Sequence, residues 1–146
     1  MRALLTERLA VVATIDPDAY DTGANTSDWI NMESFASVMF VVMVGTLGSS
    51  GTVDFKVQEA TDGSGTSNTD LSSKSITQLT DAGTDDDKQA VVHVRAEELS
   101  SGYTHVAGVM TVGTAASDAA MVAIAGDPRY LAASNFDLSS VDEIVT

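Results

Sequence analysis

Cysteine is absent from the 146 residues. A disulfide framework and thiolate chemistry are thereby excluded. Positive charge is scarce: seven Lys and Arg stand against 21 Asp and Glu, for a formal net charge of −14. A nucleic-acid backbone needs Lys and Arg to neutralise phosphates, so that class of partner is excluded. An anionic membrane surface is excluded for the same reason. Long apolar runs are missing too. The longest, Val38 to Val44, is seven residues, where a membrane helix needs about 20. The opening stretch MRALLTERLAVVATID carries Glu7 and Arg8 within its apolar part. It lacks the unbroken apolar region and small-residue cleavage site of a signal peptide.

What is present is enough apolar material for a core. Hydrophobic residues make up 44% of the chain, which argues against disorder and for one domain over 1–146. Gly, Ser, Thr, Asp and Asn come in clusters. Between them lie apolar runs of strand length, rich in Val and Thr, which is the pattern of an all-β domain. ASVMFVVMVG, Ala36 to Gly45, is apolar on both sides: Val38, Phe40, Val42 and Val44 on one, Met39, Val41 and Met43 on the other. Such a strand is expected to be covered on both faces, the second cover coming from a partner subunit. TVDFKVQEA alternates cleanly, with Val53, Phe55 and Val57 inward. VGTLGSSGTVDF therefore reads as a β-hairpin.

Further strands are expected over Ser73 to Thr80, from about Gln89 in KQAVVHVRAEEL, over His105 to Gly113 and over Ala119 to Gly126. Met121 to Ile124 fits a hairpin with Val109 to Val112. Asp16 to Asp28 reads as a loop and Thr61 to Asp70 as a long polar loop. Met1 to Ile15 is either a strand or part of an arm, the arm reaching residue 20. Residues 131–146 read as a docking tail, with Phe136, Leu138, Val141, Ile144 and Val145 spaced along it. Removing Met1 to Thr14 or Leu131 to Thr146 is expected to leave the sandwich folded. The sum is an antiparallel, jelly-roll-like β-sandwich of about seven to eight strands.

Several clusters invite chemistry. DAGTDDDK holds Asp81, Asp85, Asp86 and Asp87 within eight residues. An EF-hand wants D-x-[DN]-x-[DN]-G with Glu at the twelfth position, which this stretch does not match. A solvated inter-strand loop is the better reading. Asp16, Asp18 and Asp21 could gather round calcium, but Asp also caps turns through its own side chain. His93 and His105 have no positioned nucleophile beside them, and no G-x-S-x-G or Walker A is present. Asn25-Thr26-Ser27 fits a glycosylation sequon of the kind that arises by chance. Trp29 and Tyr103 could form a sugar-stacking platform, although Trp29 reads better as an anchor for a loop. No catalytic, cofactor-binding or metal-ligating residue is expected, and no cofactor.

The run from TVDFKVQEATDGSG through SKSITQLTDAGTDDDKQAVVHVRAEEL to GYTHVAGVMTVGTAASDAAMVAIAGDPRY resembles capsid decoration or cement proteins encoded among the head genes of tailed bacteriophages. The likeness covers Leu5 to Val145, and DFKVQEATD, VRAEEL, MTVGTAASD and GDPRY carry it. It implies a non-enzymatic virion structural protein on the capsid exterior, made in the host cytoplasm. Its expected partners are the major capsid protein and further copies of itself, as a trimer or dimer. The alternatives are a neck or tail structural protein of the same type of particle, or a sugar- or calcium-binding β-sandwich.

Overall fold

A computed structural model describes residues 3–146. Met1 and Arg2, the first two residues of the expected arm, lie outside the described residues. A single helical turn, α1 (Leu5–Arg8), leads into ten strands. These are β1 (Leu9–Tyr20), β2 (Gly23–Thr26), β3 (Ile30–Asn31), β4 (Phe35–Val44), β5 (Thr52–Ala60), β6 (Thr69–Ser75), β7 (Leu79–Thr80), β8 (Gln89–Arg95), β9 (His105–Gly113) and β10 (Ser117–Pro128). β3 and β7 are two-residue pairings, leaving eight strands of four residues or more. One sheet runs β1-β10-β4-β8 and the other β2-β9-β5-β6, with β3 on β9 and β7 on β5. All pairs are antiparallel. Two four-stranded layers in this order are a jelly roll, the expected fold class.

The core lies between the sheets and follows from period-two alternation. β4 sends Val38, Phe40, Val42 and Val44 inward; β5 sends Val53, Phe55 and Val57; β9 adds Val106, Met110 and Val112. Phe40 and Phe55 meet across the gap with centroids 5.7 Å apart. Gly108 is the small residue that admits Phe55: a Cβ there would stand 2.6 Å from the Phe55 ring.

Both expected hairpins are corrected. β4 and β5 lie in different sheets, and so do β9 and β10. The polar turns do reverse the chain, but each reversal also crosses between layers. After β4 the chain stays with β10, through Gly45 N to Asp118 O and Asp118 N to Thr46 O, and only then crosses. Turn chemistry marks a reversal without saying which sheet receives the next strand.

Other boundaries move as well. The loop expected over 16–28 holds the end of β1 and all of β2. The strand expected over 73–80 becomes β6, starting at Thr69, and the short β7. The arm expected over 1–20 is, from Leu9 on, a strand paired with β10. Two register shifts, between Val11 and Ala13 and between Ile15 and Asp18, let the neighbours Val12 and Ala13 both face the core. Deleting residues 1–14 would thus strip Ala10, Val12 and Ala13 from the interior, contrary to the sequence expectation.

The 131–146 segment begins by docking on its own sandwich. Phe136 packs edge-on against Phe35 at 5.0 Å. Val11 N donates to Asp137 Oδ1 (2.7 Å), and Leu138 N donates to Val11 O (2.9 Å). From Ser139 on, most residues are exposed.

Candidate interaction surface

The acidic loop that looked most like a metal site holds two loops together. Asp81 Oδ2 accepts from Ser50 N (2.8 Å) and Asp86 Oδ1 from Leu47 N (2.8 Å). Asp85 accepts from Thr80 N (2.9 Å) and from Lys88 Nζ (2.8 Å). The Lys88 hydrogen bond first, then the Thr80 amide, hold the Asp85 carboxyl below the ordinary carboxylate range. Residues 81–88 therefore fasten the crossover at 45–51. The carboxylates of Asp81, Asp85 and Asp86 are used singly, on amides and one ammonium, while Asp87 is exposed.

The second acidic cluster is also used locally. Asp16 accepts from the Thr14 hydroxyl (3.0 Å), Asp18 from the amide of Ala19 (2.8 Å), and the Tyr20 hydroxyl donates to the Asp16 carbonyl. Burial, then Asp16 and Asp18, push the Tyr20 hydroxyl above its usual pKa. Among the described residues, no group of three or more His, Asp and Glu is placed to hold a metal ion.

The aromatic pair is spent in the same way. Trp29 lies over Gly65, whose φ of +77° suits glycine; a Cβ there would stand 2.6 Å from Trp29 Nε1. The Tyr103 hydroxyl donates to Ser67 O (3.2 Å). Both side chains pin the 61–68 loop. His105 Nδ1 pairs with the Thr104 hydroxyl at 2.8 Å, and His93 is exposed on β8. Ser27 of the sequon is buried, with its hydroxyl between Gly108 N and Asp28 O.

Glu59 was missed by sequence reasoning. It is 2% exposed and accepts from Ser100 N at 2.8 Å. Its parity was the available signal, because it follows Val53, Phe55 and Val57 on the inward side of β5. It tethers the segment between β8 and β9. That segment carries VRAEEL, and a surface cavity of about 520 Å³ brings its Ala96, Glu97 and Leu99 beside Arg129 and Tyr130 of GDPRY. VRAEEL and GDPRY thus meet at one end of the sandwich.

The feature left without internal use is the outer face of the β1-β10-β4-β8 sheet. Within the chain, β4 is covered mainly on its inner side. Met39 is 37% exposed and Met43 47% exposed. Register places Val41 beside Val91 of β8 on one side and Val122 of β10 on the other. Ile124 lies beside Met39, and Ala120 beside Met43. Val91 is 58% exposed. Among the described residues, the middle of the face thus presents Met39, Val41, Met43, Val91, Ala120, Val122 and Ile124, bordered by His93 and Gln89 and, in a cavity beside Ile124, by Leu5, Val141, Glu143 and Ile144. Sequence reasoning found only the β4 part. It had placed Met121 to Ile124 against Val109 to Val112, so the outward row of β10 was assigned no neighbours in this sheet.

The other sheet has the opposite outer surface. Lys56 on β5 pairs with Asp70 on β6 at 2.9 Å, Gln58 donates to Asp70 (2.8 Å), and Gln78 donates to Asp54 (2.6 Å). The Gln58 amide, then Lys56, hold the Asp70 carboxyl below the ordinary range.

Fold and surface together define an antiparallel β-sandwich of jelly-roll topology with one apolar outer face. No family model matches the chain, and no curated protein matches it. Solved structures are similar in fold. A chain from the structure of infectious bursal disease virus Gx strain aligns with a TM-score of 0.47 at 9% identity, over 86% of this chain and 33% of that one. A chain described under "CBM4 structure and function" aligns with a TM-score of 0.42 at 12% identity, over 80% of this chain and 78% of that one. A chain from Bacillus endospore appendages aligns with a TM-score of 0.42 at 14% identity, over 86% and 96%. This chain spans about a third of the length of the bursal disease virus chain.

Proposed function

We propose that the protein is a non-enzymatic virion structural protein, an assembly module that binds the outer surface of a phage capsid and adds contacts between its major subunits. One observation carries the assembly role: an uncharged apolar sheet face on a chain of net charge −14. Soluble monomers seldom leave such contiguous apolar area open, and where they do it marks an interaction site. Asp81, Asp85, Asp86, Asp16, Asp18, Trp29 and Tyr103 are engaged within the fold. The capsid as destination rests on the resemblance carried by DFKVQEATD, VRAEEL, MTVGTAASD and GDPRY.

Co-sedimentation tests it. Purified protein is mixed with shells assembled from the major capsid protein encoded beside its own gene, and the mixture is centrifuged. Saturable co-migration is expected. Protein left entirely at the top of the gradient would overturn the capsid reading, and co-migration with tails or necks alone would move the protein to that part of the particle. Calcium is expected to leave the melting temperature unchanged, with or without EDTA.

A further inference from the structure

We infer that the occupant of this apolar face is a second copy of the chain, packed face to face about a two-fold axis that runs across the strands through the Val91, Val41 and Val122 row. The inference rests on the reading of this face as an assembly surface.

The pattern on three of the four strands, β4, β10 and β8, favours a copy of itself in reversed direction. A two-fold across the strands lays each strand over its own counterpart, antiparallel, as an isologous interface requires. On β4 the outward residues read Met39, Val41, Met43, the same in both directions, so Met39 meets the partner's Met43. On β10 they read Ala120, Val122, Ile124, so the largest side chain meets the smallest. On β8, Gln89 comes opposite the partner's His93, a pair able to hydrogen-bond. These positions follow from the register in which Val41 pairs with Val91 and Val122.

Charge selects the same axis. Beyond Met43, the acidic end of the face carries Asp87, Asp118, Asp16 and Asp18, all exposed, with Lys88 held by Asp85. Beyond Met39 stand Arg95, Arg129 and Arg8, with Glu7, Glu97 and Asp127 among them. Arg95 leans on Glu97 at 3.1 Å, in a pair so exposed that it is readily given up. A two-fold across the strands brings each acidic end over the partner's mixed-charge end, whose three arginines balance its three acids: Arg95 closes β8, and Asp87 sits in the turn that precedes it. A two-fold along the strands would stack the two acidic ends instead.

Three strands spaced about 4.8 Å apart and five residues rising about 3.4 Å each give a planar apolar centre on the order of 250 Å². The charged ends of the face must supply the rest of the roughly 800 Å² per partner of a standard interface. Edge-to-edge pairing is disfavoured, because Lys74 from β6 donates to His93 O (2.7 Å) and pairs with Glu98 at 3.0 Å, covering the β8 edge.

Sedimentation velocity on the full chain tests this. The wild type is expected to sediment as a dimer at micromolar concentration. Val41→Asp is expected to give folded monomers with wild-type circular dichroism and a melting temperature lowered by the loss of association, and the double variant Met39→Ser, Met43→Ser to weaken association without introducing charge. Arg95→Asp should weaken the dimer about tenfold, since two symmetry-related pairs turn from attraction to repulsion. Adding Asp87→Arg should restore it. A monomeric wild type, or a Val41→Asp protein that stays dimeric, overturns the inference; a double charge swap no tighter than Arg95→Asp overturns the orientation. A monomer that still loads onto capsids would sink this inference and leave the proposed function standing, whereas a dimer that never binds capsids would do the reverse.

Discussion

The two outer faces of the sandwich rest on the same core and are built on opposite rules. Over β5 and β6, outward positions hold Asp54, Lys56, Gln58 and Asp70, joined across strands by hydrogen bonds and an ion pair. Over β4, β8 and β10 they hold Met39, Val41, Met43, Val91, Val122 and Ile124, apolar throughout, with the tail and α1 reaching only the Ile124 corner among the described residues. A half-buried antiparallel sheet ordinarily alternates apolar-in and polar-out. The β5 sheet obeys; the β4 sheet departs from it. Stability alone does not call for the exposed part of that run, since polar residues at Met39, Met43 and Val91 would cost the monomer little. The difference teaches where to look for a partner: one face is closed by its own polar network, the other is not.

The largest expected effects test whether the faces truly share a core. Phe40 and Phe55 reach inward from opposite sheets and touch. Replacing either by Ala should destabilise the fold by about 3–5 kcal/mol in chemical denaturation. If Phe40→Ala were harmless while Phe55→Ala was severe, the β4 sheet would not be an equal half of the structure, and the contrast would reduce to a loosely attached layer.

Next in size is the fastening at the acidic end of the apolar face. Asp86→Ala removes the acceptor for Leu47 N and should cost about 1 kcal/mol. Asp85 adds a pH dependence whose sign is fixed by its lowered pKa. A carboxyl with a depressed folded-state pKa stabilises the fold above its unfolded value, and that stabilisation is lost as pH falls through the folded value. Wild-type melting temperature should therefore drop more steeply below about pH 4 than that of Asp85→Asn. Equal slopes would mean that the Thr80 and Lys88 contacts do not hold the loop in solution.

The sequence showed the inside of this protein better than its connections. Alternation in TVDFKVQEA placed Val53, Phe55 and Val57 correctly, because burial and period-two geometry are both local. The doubly apolar character of Val38 to Val44 was legible too, and it flagged half of the candidate surface. What failed was pairing. Gly48 and Gly51 mark a reversal after β4, yet whether the chain returns beside β4 or crosses to the other layer depends on residues far away, such as Asp118, whose backbone binds Gly45 and Thr46. With β10 assigned to the wrong neighbour, the uncharged face could not be assembled on paper. Glu59 and Asp86 were hidden for the same reason: their partners, Ser100 and Leu47, lie 41 and 39 residues away.

The smallest effects sharpen the comparison most. Lys56→Ala breaks an exposed pair, with side chains 41% and 57% accessible. Exposed pairs contribute little, so stability should change by no more than about 0.5 kcal/mol, and sedimentation should be unaltered. Met43→Ser on the other sheet removes an outward side chain of similar exposure, and its melting curve should likewise be flat. Binding of the dye ANS, which reports open apolar surface, separates the two in a monomeric background such as Val41→Asp. There Met43→Ser should lower the signal and Lys56→Ala should leave it unchanged. Equal ANS responses would show that the β4 face is no more apolar in solution than the β5 face, and the contrast between the faces would have no physical content.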